Sequence, residues 1–127
     1  LLHCDLVYVS DEARLAMPFT SLGLVAEFAS SLVLPQLVGR AKAAEKLLLG
    51  DPMGGAEAVE LGIANAVLPA AEVLPHARRM AERFNALPPS AVRETKRLMT
   101  RPSQATVQAQ IGAEAQVFGT DLRLHRG

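Results

Sequence analysis

Aromatic side chains are scarce in this sequence, which has no tryptophan and only 4% aromatic residues among its 127 residues. Surfaces that stack nucleic-acid bases need such side chains, so their scarcity argues against nucleic-acid binding. The single cysteine, Cys4, excludes an internal disulfide and is typical of a reducing compartment. No apolar run approaches the roughly 20 residues that a membrane-spanning helix needs. We therefore expect a cytoplasmic protein that binds neither nucleic acid nor membrane.

Neither sign of charge is in excess, since 13 Lys and Arg residues are balanced by 13 Asp and Glu residues. A basic excess that would attract nucleic acid is therefore missing, and so is an acidic tail. The histidines, His3, His76 and His125, are far apart and lack the spacing of metal ligands, so we expect no metal site. The chain opens at Leu1 without the layout of a signal peptide, and we expect that an N-terminal part precedes it.

Half of the residues are hydrophobic, enough for a small globular unit with a core. Up to Pro69, short apolar runs alternate with helical patterns. The pattern predicts strands at 5–9, 14–17 and 63–68 and helices at 40–49 and 55–61. A further helix is expected to begin near Ala26 and to end before Pro35 or at Gly39. This alternation predicts an α/β layer in which helices pack on a sheet.

After Pro69 the pattern is helical only. Apolar residues recur every three or four positions in the first and third of three segments. The first stripe consists of Val73, Ala77, Met80, Phe84 and Leu87, the second segment runs from Ser90 to Met99, and the third starts at Pro102-Ser103 with Val107, Ile111, Ala115 and Phe118. Such helices need another surface to pack on, either the first part or another subunit. We therefore predict an α/β part at 1–69 and an all-helical part at 70–127.

One carboxylate, Glu27, stands alone in the otherwise uncharged and largely apolar stretch 18–39. Two prolines and two glycines punctuate this stretch, so the chain is expected to turn sharply on both sides of the carboxylate. Glu27 either reaches water as a structural partner of a helix dipole or lies in a poorly solvated cleft as a usable acid or base. The residues alone leave both interpretations open.

Several short motifs follow one another along about residues 1–100. They include Cys4-Asp5-Leu6-Val7-Tyr8, Pro18-Phe19, Leu22-Gly23-Leu24, Leu34-Pro35-Gln36-Leu37-Val38-Gly39, Leu61-Gly62-Ile63-Ala64-Asn65 and Leu87-Pro88-Pro89-Ser90-Ala91. In this order they resemble the enoyl-CoA hydratase/isomerase (crotonase) superfamily. The resemblance implies an α/β fold, a spiral of ββα units, followed by a helical C-terminal region that builds homotrimers, often paired into hexamers. The chain would hold the later turns of that spiral and the trimerisation helices.

The resemblance also implies a reaction on an acyl-CoA thioester, with no cofactor besides the coenzyme A of the substrate. Two backbone N–H groups would polarise the thioester carbonyl and stabilise an enolate. In the family both groups precede the position of Leu1, so we expect the oxyanion hole outside this sequence.

The segment Gly23-Leu24-Val25-Ala26-Glu27 is similar to the motif that carries the single glutamate of Δ3,Δ2-enoyl-CoA isomerases. Hydratases use two glutamates, and Phe19 stands where one of them falls. The resemblance therefore implies that Glu27 is the catalytic residue and moves a proton from C2 to C4. It implies an acyl-binding role for Pro18, Phe19, Leu22 and Leu24, although core packing explains the three apolar side chains after Pro18 about as well.

Phe28 departs from the family pattern, because a small residue usually follows the glutamate at this position. Two other functions remain open at this point. A hydratase or another crotonase reaction would use Glu27 in place of the missing carboxylate. A non-catalytic crotonase-like subunit would contribute assembly or binding only.

Overall fold

The computed structural model describes residues 1–100 and 104–124. Helices and short strands alternate in the first half of the chain, and helices follow one another in the second. The elements are β1 (Tyr8–Ser10), β2 (Arg14–Leu15), α1 (Ser30–Val38), α2 (Arg40–Leu47), β3 (Met53–Gly54), α3 (Gly55–Glu60), β4 (Ala66–Leu68), α4 (Ala70–Arg83), α5 (Pro89–Thr100) and α6 (Gln104–Leu124). Single turns of 3-10 helix lie at Thr20–Leu22 and Phe84–Ala86.

The strands form two separate pairs. β1 runs parallel to β4, with Tyr8 opposite Ala66, and β2 runs antiparallel to β3, with Arg14 opposite Gly54. Parallel strands need a long crossover connection, and here that connection carries α1, α2 and α3. The chain is therefore α/β, as the alternating patterns predict.

The predicted strands at 5–9, 14–17 and 63–68 form over only part of their ranges. Next to β1 and β4, the Asn65 side chain makes one of the hydrogen bonds that a longer strand ladder would otherwise make. The Val7 N–H donates to Asn65 Oδ1 at 2.7 Å, and the Asn65 N–H donates to the Val7 carbonyl oxygen at 2.7 Å. The backbone groups are satisfied without further strand pairing, so the ladder stops there.

The core lies between the β1–β4 pair and the first three helices. Its buried members are Val7, Val9, Leu34, Ala43, Leu47, Met53, Ala58, Ile63 and Ala64. Gly55 lets α3 begin directly against the sheet, because a Cβ there would lie 2.4 Å from the Ser10 carbonyl oxygen. The buried Lys46 ammonium pairs with Glu57 at 2.8 Å and links α2 to α3.

Helix α1 begins later than the sequence predicts, at Ser30 instead of near Ala26. Phe28 and Ala29 adopt the left-handed region, with φ of 57° and 54°, and a right-handed helix cannot run through them. Pro35 lies inside the helix, which ends at Gly39. Of the two predicted ends, the one at Gly39 is therefore correct.

The first half of the α4 stripe packs on β1 and β4, where Val73, Ala77 and Met80 are half-buried. Phe84 and Leu87, at the other end of the stripe, remain 44% and 48% exposed. Helix α5 is tied to the N-terminal segment by an ion pair between Lys96 and Asp5. In the third segment, the predicted start at Pro102-Ser103 and the side chain of Phe118 lie outside the part that the structure describes.

Candidate functional site

Glu27 lies in the loop that precedes α1 and is exposed at the wall of a cleft of about 460 Å³. The N-terminal segment, β2, the loop before α1, and the chain around β3 and β4 all contribute to the lining. Most lining side chains are apolar; they include Leu2, Leu15, Met17, Phe19, Met53 and Ile63. Among the described residues, the titratable side chains in this lining are those of His3, Arg14 and Glu27. The cleft therefore combines an apolar wall with one accessible carboxylate.

The structure brings Phe19 to the same cleft as Glu27, where it is half-buried. It does not bring Pro18, Leu22 or Leu24 into that lining. Leu22 is 67% exposed on the 3-10 turn, and Leu24 lines a different cleft of about 350 Å³ beside α1 and α2. The roles assigned to Glu27 and to these four residues stay predictions.

The backbone that follows Glu27 is held by hydrogen bonds from two directions. The Glu27 carbonyl oxygen accepts from the Ser30 N–H at 3.0 Å and from Ser30 Oγ at 2.6 Å. The Phe28 carbonyl oxygen accepts from His3 Nε2 at 2.7 Å. The sequence did not predict this contact of His3, because its hydrogen-bond partner is a backbone atom 25 positions away.

Substitution of Phe28 tests whether this turn is strained, because a φ of 57° is an unfavourable backbone conformation for a bulky residue. Its side chain is 78% exposed, so its removal exposes little additional apolar surface. We expect Phe28→Gly to raise the free energy of unfolding by up to about 1 kcal/mol, since glycine adopts this φ freely. Chemical denaturation of the intact protein measures the change.

Phe84→Gly is the matched control, because Phe84 is also partly exposed but has an ordinary φ of −64°. Glycine there is expected to lower the free energy of unfolding. A loss of stability in Phe28→Gly as large as that in Phe84→Gly would show that the turn stores no strain at Phe28.

Glu114 of α6 lies against the same turn and is only 9% exposed. Its Oε2 accepts from the Ala29 N–H at 2.8 Å, and its Oε1 accepts from Ser31 Oγ at 2.5 Å. Gln110 Nε2 donates to Ser31 Oγ at 2.7 Å. Glu27 and Glu114 also line a second cleft of about 290 Å³ together with Phe28.

Local sequence does not reveal the contact of Glu114 with this turn, because Ala29 lies 85 positions away and no local pattern connects the two. One signal was present. Glu114 follows Ile111 by three positions, so it shares the helix face of the predicted stripe. A lone carboxylate on an apolar stripe indicates a buried hydrogen-bonding role.

Residues 1–100 and 104–124 show neither a metal-binding cluster nor a membrane-spanning helix. In these ranges, no three His, Cys, Asp or Glu side chains come together in a way that would hold a metal ion. Likewise, no helix of the described part has both the length and the apolar character needed to span a membrane.

The arrangement of strands and helices matches solved structures closely. Pseudomonas aeruginosa OdaA superimposes with a TM-score of 0.92 and is 53% identical, over 96% of this chain and 50% of that one. Residues 1–123 match the family described as enoyl-CoA hydratase/isomerase. The fold is thus of the crotonase type. The chain belongs to the enoyl-CoA hydratase/isomerase family, which confirms the resemblance seen in the sequence.

Curated relatives carry different reaction names. A probable enoyl-CoA hydratase of Bacillus subtilis is 30% identical over 117 residues, which are 91% of this chain and 45% of that protein. Enoyl-CoA delta isomerase 2 of Rattus norvegicus is 33% identical over 105 residues, 83% of this chain and 27% of that protein. The chain thus spans less than half the length of these two relatives. Family membership leaves hydration and isomerisation as alternatives.

Proposed function

We propose that this chain carries the proton-transferring carboxylate of an enzyme that converts a 3-enoyl-CoA to a 2-enoyl-CoA. The observation that carries the proposal is the position of Glu27, exposed at the wall of a largely apolar cleft that Phe19 also lines. An isomerisation by proton transfer needs one carboxylate that both removes and returns a proton. It needs no second carboxylate to activate water.

In the proposed reaction, the Glu27 carboxylate removes a proton from C2 of the acyl thioester. The C–H electron pair moves toward the thioester carbonyl and forms an enolate, which two backbone N–H groups outside this sequence would stabilise. The enolate electrons then re-form the carbonyl, the double bond shifts from C3–C4 to C2–C3, and protonated Glu27 returns the proton at C4. The apolar wall would hold the acyl chain beside the carboxylate.

Hydration is the second candidate, because the Bacillus subtilis relative is named a probable enoyl-CoA hydratase. Adding water across a double bond requires a base for the water and an acid for C2. Phe19 cannot transfer protons, and both oxygens of the nearby Glu114 already accept hydrogen bonds. The described residues of the cleft therefore favour isomerisation.

The partner that we propose is an acyl-CoA thioester, and the assembly that we propose is a homotrimer or hexamer. Apolar side chains left uncovered on α5 and on the segment that joins α4 to α5 support further packing. They are Phe84, Leu87, Leu98 and Met99, which are 44% to 76% exposed. Sedimentation of the intact protein measures the assembly directly.

A paired assay of the intact protein tests the proposed reaction. We expect conversion of a 3-enoyl-CoA to the conjugated 2-enoyl thioester, followed by its absorbance, and no hydration of a supplied 2-enoyl-CoA. Hydration of the second substrate would replace the isomerase proposal by the hydratase one. Activity on neither substrate would favour another reaction of the family or a non-catalytic subunit.

A further inference from the structure

We propose that Glu114 is a positioning residue for Glu27, an inference that rests on the proposed function. The Glu114 carboxylate reaches from α6 to the turn between Glu27 and Ser31 and accepts hydrogen bonds from two donors there, the Ala29 N–H and Ser31 Oγ. The group that it positions is the backbone from which the Glu27 side chain projects.

The turn needs an external partner because its conformation is not one that its residues prefer. Phe28 and Ala29 are both left-handed, a conformation that non-glycine residues rarely adopt. Such backbone persists where the surrounding structure determines it. In this turn the determining contacts are His3 on the Phe28 carbonyl oxygen and Glu114 on the Ala29 N–H.

Helix α1 supplies no side-chain cap of its own, since the side chain of Ala29 at its N-cap position has no group that could accept a hydrogen bond. Glu114 therefore acts as a cap from another helix. A negative charge at a helix N-terminus is favourable, and hydrogen bonds to a carboxylate are stronger than those between neutral groups. Ala29 is fully buried, so loss of Glu114 would leave its N–H unsatisfied.

The geometry distinguishes positioning from a second acid or base. Glu114 Oε2 is bonded to the Ala29 N–H and Oε1 to Ser31 Oγ, while Gln110 orients Ser31 from the same helix. Both oxygens accept from the protein itself, and the residue is 9% exposed. The carboxylate that is exposed at the wall of the 460 Å³ cleft is Glu27.

The test compares Glu114→Ala and Glu114→Gln with Gln108→Ala in the intact protein, using steady-state turnover of a 3-enoyl-CoA. Gln108 is an exposed residue of the same helix and serves as the control. A displacement of about 1 Å costs roughly 10²-fold in rate, so we expect kcat of Glu114→Ala to fall by about that factor with little change in KM. Glu114→Gln keeps one acceptor oxygen and is expected to lie between Glu114→Ala and the parent.

Circular dichroism and thermal melting separate positioning from a purely structural role. A structural role would reduce the folded fraction and leave kcat per folded molecule unchanged, and that result would overturn the proposal. If Glu114→Ala does not fold, Ser31→Ala is measured instead, because it removes one of the two partners and leaves the carboxylate in place. We then expect a lower kcat in Ser31→Ala, and an unchanged kcat would equally overturn the proposal.

Glu27→Gln, assayed in parallel, separates this inference from the proposed function. If Glu27→Gln keeps near-parental turnover, the proposed function fails whatever Glu114 does. If Glu27→Gln abolishes turnover while Glu114→Ala keeps the parental kcat, only the positioning role is wrong.

Discussion

Turnover of a 3-enoyl-CoA is expected to fall by about 10² to 10⁴-fold when Glu27 is replaced by glutamine, the range that general acid–base groups contribute. Glutamine has nearly the same shape as glutamate but cannot accept the C2 proton. The side chain is exposed at the cleft wall, so the substitution should leave the fold and the affinity for substrate largely intact. The expected signature is therefore a low kcat with a similar KM.

Glu60→Gln is the matched control for this prediction, because Glu60 is an exposed carboxylate of α3. It lines neither of the two clefts that Glu27 lines. It should turn over substrate at the parental rate. Near-parental turnover in Glu27→Gln itself would remove Glu27 from the mechanism. It would also leave the structural interpretation of this carboxylate as the better one.

Replacing Leu34 by alanine is expected to lower the free energy of unfolding by about 2–5 kcal/mol, the range for buried Leu→Ala substitutions. Leu34 lies in the middle of α1, is fully buried and belongs to the core cluster. Alanine would remove its apolar contacts and leave a cavity between α1 and the elements beneath it. Urea unfolding of the intact protein measures the loss.

Leu37→Ala, on the same helix, supplies the comparison. Leu37 is 46% exposed, so we expect a loss of less than about 1 kcal/mol, closer to the usual effect of surface substitutions. Both variants change helix propensity equally. Similar losses in the two would mean that α1 is not anchored through Leu34.

Helices α2 and α3 show what local sequence can predict. The first was expected at 40–49 and lies at Arg40–Leu47, and the second was expected at 55–61 and lies at Gly55–Glu60. Gly50 and Gly62 follow them with φ of 71° and 74°. Apolar spacing and a glycine at the end are local signals, and here nothing from elsewhere in the chain overrides them.

Prediction of the candidate site needed two kinds of information, local motifs and contacts between distant residues. The isolation of Glu27 in an uncharged stretch and the surrounding motifs were visible in the sequence, and the family that they indicate is confirmed. The turn that presents Glu27 was not visible, because phenylalanine and alanine are unusual in left-handed backbone. Its conformation depends on distant partners, above all Glu114, and composition near Glu27 contains no trace of them.

The order in which the chain leaves the ribosome matters for the Glu27 turn. Val7 and Asn65 are 58 positions apart, and Ala29 and Glu114 are 85 positions apart. Local helices such as α2 can form early, whereas contacts between distant residues must first overcome the entropy of closing a long loop. Glu114 is synthesised 85 positions after Ala29, so until it emerges the turn lacks one of its two outside supports. In a nascent chain the Glu27 carboxylate would therefore reach its final position late, after the core around Leu34 has begun to assemble.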